Sequence, residues 1–187
     1  MNLPNKLTVF RIFLIPVFML LIICGWPAGS FTLAGTTIYW SRVVAMIVFA
    51  VASATDWFDG HIARSRNMVT NFGKFADPLA DKMLTMTAFI FLVSLNLAPA
   101  WIVAIIICRE LAVTGLRLIV VENDGEVIAA KMPGKIKTTC QMLSIIFLLF
   151  GDIFHIGTVL LWLALIFTIY SGIDYFRGSW RVFKGSM

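Results

Sequence analysis

The sequence predicts an all-α integral membrane protein, with six transmembrane helices in one bundle and both termini in the cytoplasm. Three observations lead there. Hydrophobic residues make up 60% of the 187 and charged residues only 13%, with a mean hydropathy of +0.92, whereas a soluble domain is about 45–50% apolar and about 25% charged. Apolar stretches long enough to cross a bilayer recur along the whole chain. The basic residues between them fall on one side.

A span needs about 20 mostly apolar residues, and the segments 7–26, 38–60, 75–97, 100–121, 137–154 and 156–176 qualify. Lys6 and Arg11 ahead of the run Ile12 to Cys24, with Ala28-Gly29-Ser30 behind it, imitate a signal peptide. The rest of the chain is equally apolar, so an uncleaved first span is the better reading. Breaks fall at Trp26-Pro27-Ala28-Gly29, Arg64 to Lys74, Ala98-Pro99, Glu122 to Lys137 and Gly151 to Gly157. No repeat or linker divides the chain, and residues 1–187 form a single membrane domain.

Orientation follows from charge. Lys6 and Arg11, then Arg64, Arg66, Lys74 and Lys82, then Lys131, Lys135 and Lys137, and finally Arg177, Arg181 and Lys184 all lie on one side of six spans. The opposite connections carry only Arg42, Asp152 and His155. Basic loops face the cytoplasm. The net charge of +5 thus matches anionic lipid, with no nucleic acid partner. Cys24, Cys108 and Cys140 lie far apart in apolar sequence and read as small buried hydrophobes.

Two features stand out from this apolar background. Arg109-Glu110 sits in the middle of the fourth span, where a charged pair is costly unless it faces protein or water. It is either a functional pair or an ion pair that locks helices together. The second feature is Asp56-Trp57-Phe58-Asp59-Gly60-His61-Ile62-Ala63-Arg64, followed by Gly73-Lys74-Phe75-Ala76-Asp77-Pro78-Leu79-Ala80-Asp81. Asp56 and Asp59 are three apart near the end of span two, and Asp77 and Asp81 four apart at the start of span three, so each pair shares a helix face. A short connection makes these helices neighbours, and the four carboxylates converge near the cytoplasmic boundary. Such a cluster is either partly protonated or neutralised by cations. Hard oxygen donors favour Mg²⁺ or Mn²⁺, and two ions bridging a phosphate stabilise both attacking and leaving oxygens. Gly60, Ala63, Gly73, Ala76 and Ala80 leave room for a bulky ligand or for close helix packing. Arg64 can clamp a phosphate or snorkel to the boundary, and Pro78 suits a first helical turn or a kink.

The pattern Asp-x-x-Asp-Gly-x-x-Ala-Arg, eight residues, Gly-x-x-x-Asp-x-x-x-Asp resembles the signature of the CDP-alcohol phosphatidyltransferase family, with every fixed position present. The resemblance extends over nearly the whole chain. Pro4 to Arg11, Arg109-Glu110, Arg117 and Gly134 to Thr138 are similar to bacterial members that use sn-glycerol 3-phosphate as acceptor.

The resemblance implies a bacterial, multi-pass enzyme of the inner (plasma) membrane, active on its cytoplasmic side. It would transfer a phosphatidyl group from CDP-diacylglycerol to sn-glycerol 3-phosphate, release CMP, and act as a homodimer. By the same analogy Asp56, Asp59, Asp77 and Asp81 bind the metals, and Asp81 is also the general base. Gly60, Ala63, Arg64 and Gly73 would contact the cytidine nucleotide, with Asn5 and Thr8 as further contacts. An acceptor that carries its own phosphate needs additional cations. Arg109 and Arg117 lie eight apart, close to one face of span four, and Lys135 and Lys137 open span five, so these four are the expected anion pocket.

Two other acceptors keep the same chemistry: inositol phosphate, or phosphatidylglycerol as in cardiolipin synthesis. The deep basic residues favour a phosphorylated acceptor over serine or free inositol. An ion-coupled transporter would also use intramembrane carboxylates, but the acidic cluster lies at one boundary and no paired broken helices occur in repeated halves. For a homodimer the chain itself offers only Ala50-x-x-x-Ala54, equally a packing pair within one chain.

Overall fold

The computed structural model describes the backbone of residues 3–65, 71–122 and 132–178, and the side chains of 8–55, 79–116 and 132–177. Within these lie six long helices: α1 (Leu3–Cys24), α2 (Trp40–Ser65), α3 (Asn71–Ser94), α4 (Ala100–Glu122), α5 (Met132–Leu149) and α6 (Ile156–Gly178). Each overlaps one predicted span. A β-hairpin, β1 (Ser30–Leu33) with β2 (Thr36–Tyr39), separates α1 from α2 and was not anticipated.

The helices end where local chemistry requires. After Cys24 the backbone turns left-handed at Gly25 and again at Gly29. Ala34 and Gly35 both take positive φ between the strands, the conformation of a two-residue hairpin turn. The Trp40 amide donates to the Gly29 carbonyl at 3.1 Å and closes the hairpin on the start of α2. α3 ends with Asn96 left-handed and the Leu97 amide returning to the Leu92 carbonyl at 2.8 Å, the kind of closure that satisfies terminal carbonyls. Pro99 directly precedes α4, and Pro133 occupies the first turn of α5, where its missing N–H costs nothing. Pro78, expected in a first turn or at a kink, lies about two turns into α3, because that helix begins at Asn71.

α5 packs along α6, and α1 against α2 and α3; α2 and α3 also touch α5, while α4 joins the bundle through α6 and α3. Phe18 of α1 sits between Phe49 of α2 and Phe91 of α3, at ring separations of 6.3 and 6.1 Å. Leu84, Ala88 and Leu92 of α3, Ile102 and Ile106 of α4 and Ile145 and Leu148 of α5 complete the shared core. The outer faces remain apolar: Phe13, Leu20, Ile90, Trp101, Ile166 and Tyr170 are all exposed. Ile153–Arg177 is long and apolar enough to cross a membrane, and Thr8–Cys24 and Trp40–Thr55 are shorter apolar stretches. Cys140 is buried as expected. Cys24 and Cys108, in contrast, are exposed on outward faces among apolar neighbours.

Arg11, counted from sequence as an orienting charge, is instead fully buried, and its Nε donates to the Ala52 carbonyl at 3.2 Å. It ties α1 to α2 one turn before Asp56. At the other end of the bundle Asp152, left-handed at φ 51°, accepts from the Thr158 amide at 3.0 Å and the Thr158 hydroxyl at 2.5 Å. This caps the start of α6. Gly157 is pressed into that corner: a Cβ there would lie 2.9 Å from the Leu148 amide nitrogen and from Asp152 Oδ1. Gly157→Ala is expected to cost about 1–3 kcal/mol, read as a lower unfolding temperature in detergent. Gly115→Ala, with nothing within 4 Å of its added carbon, should leave that temperature unchanged or slightly raised.

Candidate active site

A cavity of about 210 Å³ opens between α3, α4, α5 and α6. Asp81 and Lys82 reach it from α3, Arg109, Glu110 and Thr114 from α4, Lys137 and Gln141 from α5, and Ser171, Asp174 and Tyr175 from α6. Apolar side chains, Phe89, Ile106 and Val113 among them, close its inner wall. The charges of four helices thus meet in one place instead of being scattered through the bundle.

Glu110 is the hub. Lys137 Nζ donates to Glu110 Oε1, and Arg109 Nη1 donates to the same oxygen at 3.3 Å. The side chains of Glu110 and Lys137 are only 16% and 8% exposed. Paired with two cations, the carboxylate is compensated for the water it has lost. Arg109 Nη2 donates to Ser171 Oγ at 2.9 Å, and Ser171 Oγ donates in turn to the Phe167 carbonyl at 2.5 Å. Lys82 Nζ donates to Thr114 Oγ1, linking α3 to α4, and Thr114 Oγ1 donates to the Glu110 carbonyl at 2.7 Å. Deeper in, Gln141 Nε2 lies 3.4 Å from Thr168 Oγ1, bridging α5 and α6.

Of the expected anion pocket, Arg109 and Lys137 line this cavity together with Asp81. Lys135 is exposed on α5 and outside the lining; two residues before Lys137 on a helix, it is turned well away from it. Arg117 lies on α4, its side chain outside the described residues. The same holds for Asp56, Asp59, Gly60, Ala63 and Arg64 on α2, for Gly73 and Asp77 on α3, and for Asn5 on α1. Thr8 is completely buried. Lys82, Thr114, Gln141, Ser171, Asp174 and Tyr175 were not anticipated as site residues. Asp174 carried a readable signal, a carboxylate within an apolar span, and so did Lys82, next to Asp81. Ser171 and Gln141 carried none.

The donor set can be tested for a divalent cation. The backbone is helical at Asp56, Asp59, Asp77 and Asp81, so the spacings of three and four residues are true helix spacings, at the joined ends of two touching helices. Asp81, the member whose side chain is described, is partly buried on the polar cavity. Carboxylate oxygens there fit a hard cation. Among the described residues no group of three metal-binding side chains occurs, since three of the four aspartates fall outside that set.

Comparison with known proteins then bears on the chemistry. The model of the CDP-alcohol phosphatidyltransferase family matches residues 1–170. The chain belongs to the CDP-alcohol phosphatidyltransferase family. It is 47% identical to the CDP-diacylglycerol–glycerol-3-phosphate 3-phosphatidyltransferase of Bacillus subtilis, over 99% of this chain and 98% of that protein. A probable phosphatidylglycerophosphate synthase of Mycobacterium tuberculosis is 39% identical over 98% of this chain and 84% of its own length. The CDP-diacylglycerol–glycerol-3-phosphate 3-phosphatidyltransferase of Escherichia coli K12 is 36% identical over 95% and 94%. Membership in a CDP-alcohol phosphatidyltransferase family agrees with the resemblance read from the aspartate motif, and it leaves the transporter reading without support.

Removing the hub should be felt in stability. Glu110→Ala strands Lys137 as a buried cation and is expected to cost about 3 kcal/mol, read by denaturant or thermal unfolding in micelles. Adding Lys137→Met should recover part of that loss.

Proposed function

We propose that the chain transfers a phosphatidyl group from CDP-diacylglycerol to sn-glycerol 3-phosphate, giving phosphatidylglycerol phosphate and CMP. The observation that carries this reading is the shared cavity: Asp81, the last aspartate of the family motif, lines it together with Arg109, Lys137 and Lys82. A place for a proton acceptor therefore adjoins a place for a phosphate. The relatives named above carry the matching activity in their names.

In this reading the chain crosses a bacterial plasma membrane six times, with both termini and the active site on the cytoplasmic side. The apolar outer faces of the helices and the one-sided basic residues support it. One substrate is a lipid and the other dissolves in water, which suits a site at the membrane boundary. The enzyme acts as a homodimer, as the resemblance implies.

The steps follow from the chemistry of the groups. Arg109 and Lys137 hold the acceptor's phosphate by charge-assisted hydrogen bonds, with Arg117 and Lys135 extending the positive field. Gly60, Ala63, Arg64 and Gly73, with Asn5, receive the cytidine nucleotide, whereas Thr8, completely buried, offers it no surface. One of the acceptor's two free hydroxyls attacks the β-phosphorus of the donor while its proton passes to the Asp81 carboxylate. A new P–O bond forms to the glycerol oxygen, the P–O bond of the pyrophosphate link breaks, and CMP leaves with the bridging oxygen. Asp56, Asp59, Asp77 and Asp81 would hold two Mg²⁺ or Mn²⁺ ions. Bound divalent ions neutralise the phosphate oxygens and stabilise the leaving group.

The test is CMP release by purified protein with CDP-diacylglycerol and a panel of acceptors. Turnover with sn-glycerol 3-phosphate is expected, abolished by chelator and restored by Mg²⁺ or Mn²⁺. Turnover with inositol phosphate or phosphatidylglycerol, but not with glycerol phosphate, contradicts the reading. Asp81→Asn should unfold at the wild-type temperature yet lose transfer by about 100-fold or more, the scale of general base catalysis; wild-type turnover in that variant would remove Asp81 from its role.

A further inference from the structure

We infer that Ser171 and Gly172 of α6 are positioning residues for Arg109, setting how far its guanidinium reaches into the anion-binding cavity. The inference rests on the reading of Arg109 as an acceptor-phosphate ligand.

Arg109 is held at both ends. Its Cα belongs to α4, and its guanidinium is fixed by Ser171 Oγ at 2.9 Å and by Glu110 Oε1 at 3.3 Å. Between these ends the stem runs across Gly172. A Cβ added at Gly172 would lie 3.3 Å from both Cγ and Nε of Arg109, and 3.9 Å from Cδ. Such contacts are tight, and the atoms concerned are the middle of the side chain. A stem anchored at each end cannot yield by a few tenths of an ångström without lengthening one of the guanidinium contacts. Yielding outward gives no substitute, because the α4–α6 groove beyond Arg109 is walled chiefly by Ala112, Ile169, Ile173 and Phe176.

Gly172 lies inside a regular helix, where alanine is the better helix former. Local backbone demands therefore do not explain the glycine, whereas the path of the Arg109 stem does. Ser171 acts on the same side chain from the adjacent position. Its hydroxyl donates to Phe167 O, which leaves a lone pair aimed at the guanidinium. One turn of α6 thus supplies both the anchor and the clearance.

The experiment is steady-state CMP release by full-length enzyme in micelles, for Gly172→Ala, Ser171→Ala, Arg109→Ala and Gly172→Ala/Arg109→Ala, with Gly115→Ala as a control for added bulk. Gly172→Ala and Ser171→Ala are expected to raise KM for sn-glycerol 3-phosphate about three- to tenfold with kcat little changed, the pattern of lost ground-state binding. KM for CDP-diacylglycerol and the Gly115→Ala kinetics should stay at wild-type values. In the Arg109→Ala background, Gly172→Ala should add nothing further to the fall in kcat/KM, as for two residues acting through one side chain. An unchanged KM in both Gly172→Ala and Ser171→Ala, or additive losses in the double variant, overturns the inference even if Arg109→Ala itself weakens acceptor binding. An unchanged KM in Arg109→Ala removes the ligand role on which the inference stands, and the inference with it.

Discussion

Glu110 sits between Lys137 and Arg109 in a bundle whose core is mainly apolar among the described residues, and the polar cluster depends on that arrangement. A charge removed from water is tolerated only when opposite charges and hydrogen bonds replace the lost solvent. Here the replacement comes from three helices: Glu110 and Arg109 from α4, Lys137 from α5, and the Ser171 hydroxyl from α6. The cluster fixes how those helices meet. It also sets the N–H groups of Arg109 and Lys137, with Lys82, at the wall of a small cavity, where donors of that kind can hydrogen-bond an anion.

The same logic explains why the site lies at one end of the bundle. Phe18, Phe49, Phe89 and Leu148 belong to one apolar cluster, and the polar groups of the cavity are gathered at its edge, against Phe89 and Ile106. Arg11, though buried, spends its Nε on a backbone carbonyl of α2 just ahead of the aspartate motif. The far end is closed by purely structural devices, the hairpin turn at Ala34-Gly35 and the Asp152 cap on α6. Chemistry and closure are thereby kept apart.

Much of this was legible in the sequence, for identifiable reasons. Six apolar stretches reveal six helices because each is long and bounded by turn-forming or charged residues. The aspartate motif revealed the family because its fixed positions have fixed spacings. Arg109 could be singled out because a charge deep in an apolar span is costly enough to need a reason, and Lys137 because it opens the fifth span beside Lys135. Phe31, Thr32, Thr36, Thr37, Ile38 and Tyr39 have strand character around Ala34-Gly35, but the apolar pattern assigns Ile38 and Tyr39 to the second span and leaves residues 27–37 as a connection, so the hairpin is not evident from it. Ser171 and Gln141 could not have been found, because nothing in a hydroxyl or an amide tells which neighbouring helix it will face. Lys135 shows the opposite limit: its charge was visible, but its side of the helix was not.

The central claim is that the cavity between α3 and α6 binds the acceptor through its phosphate. Direct binding of sn-glycerol 3-phosphate to the purified protein, followed by calorimetry without CDP-diacylglycerol, tests it most simply. The account predicts saturable binding that glycerol does not reproduce, that Lys137→Met abolishes, and that Asp81→Asn retains. Binding of undiminished affinity in Lys137→Met would contradict it.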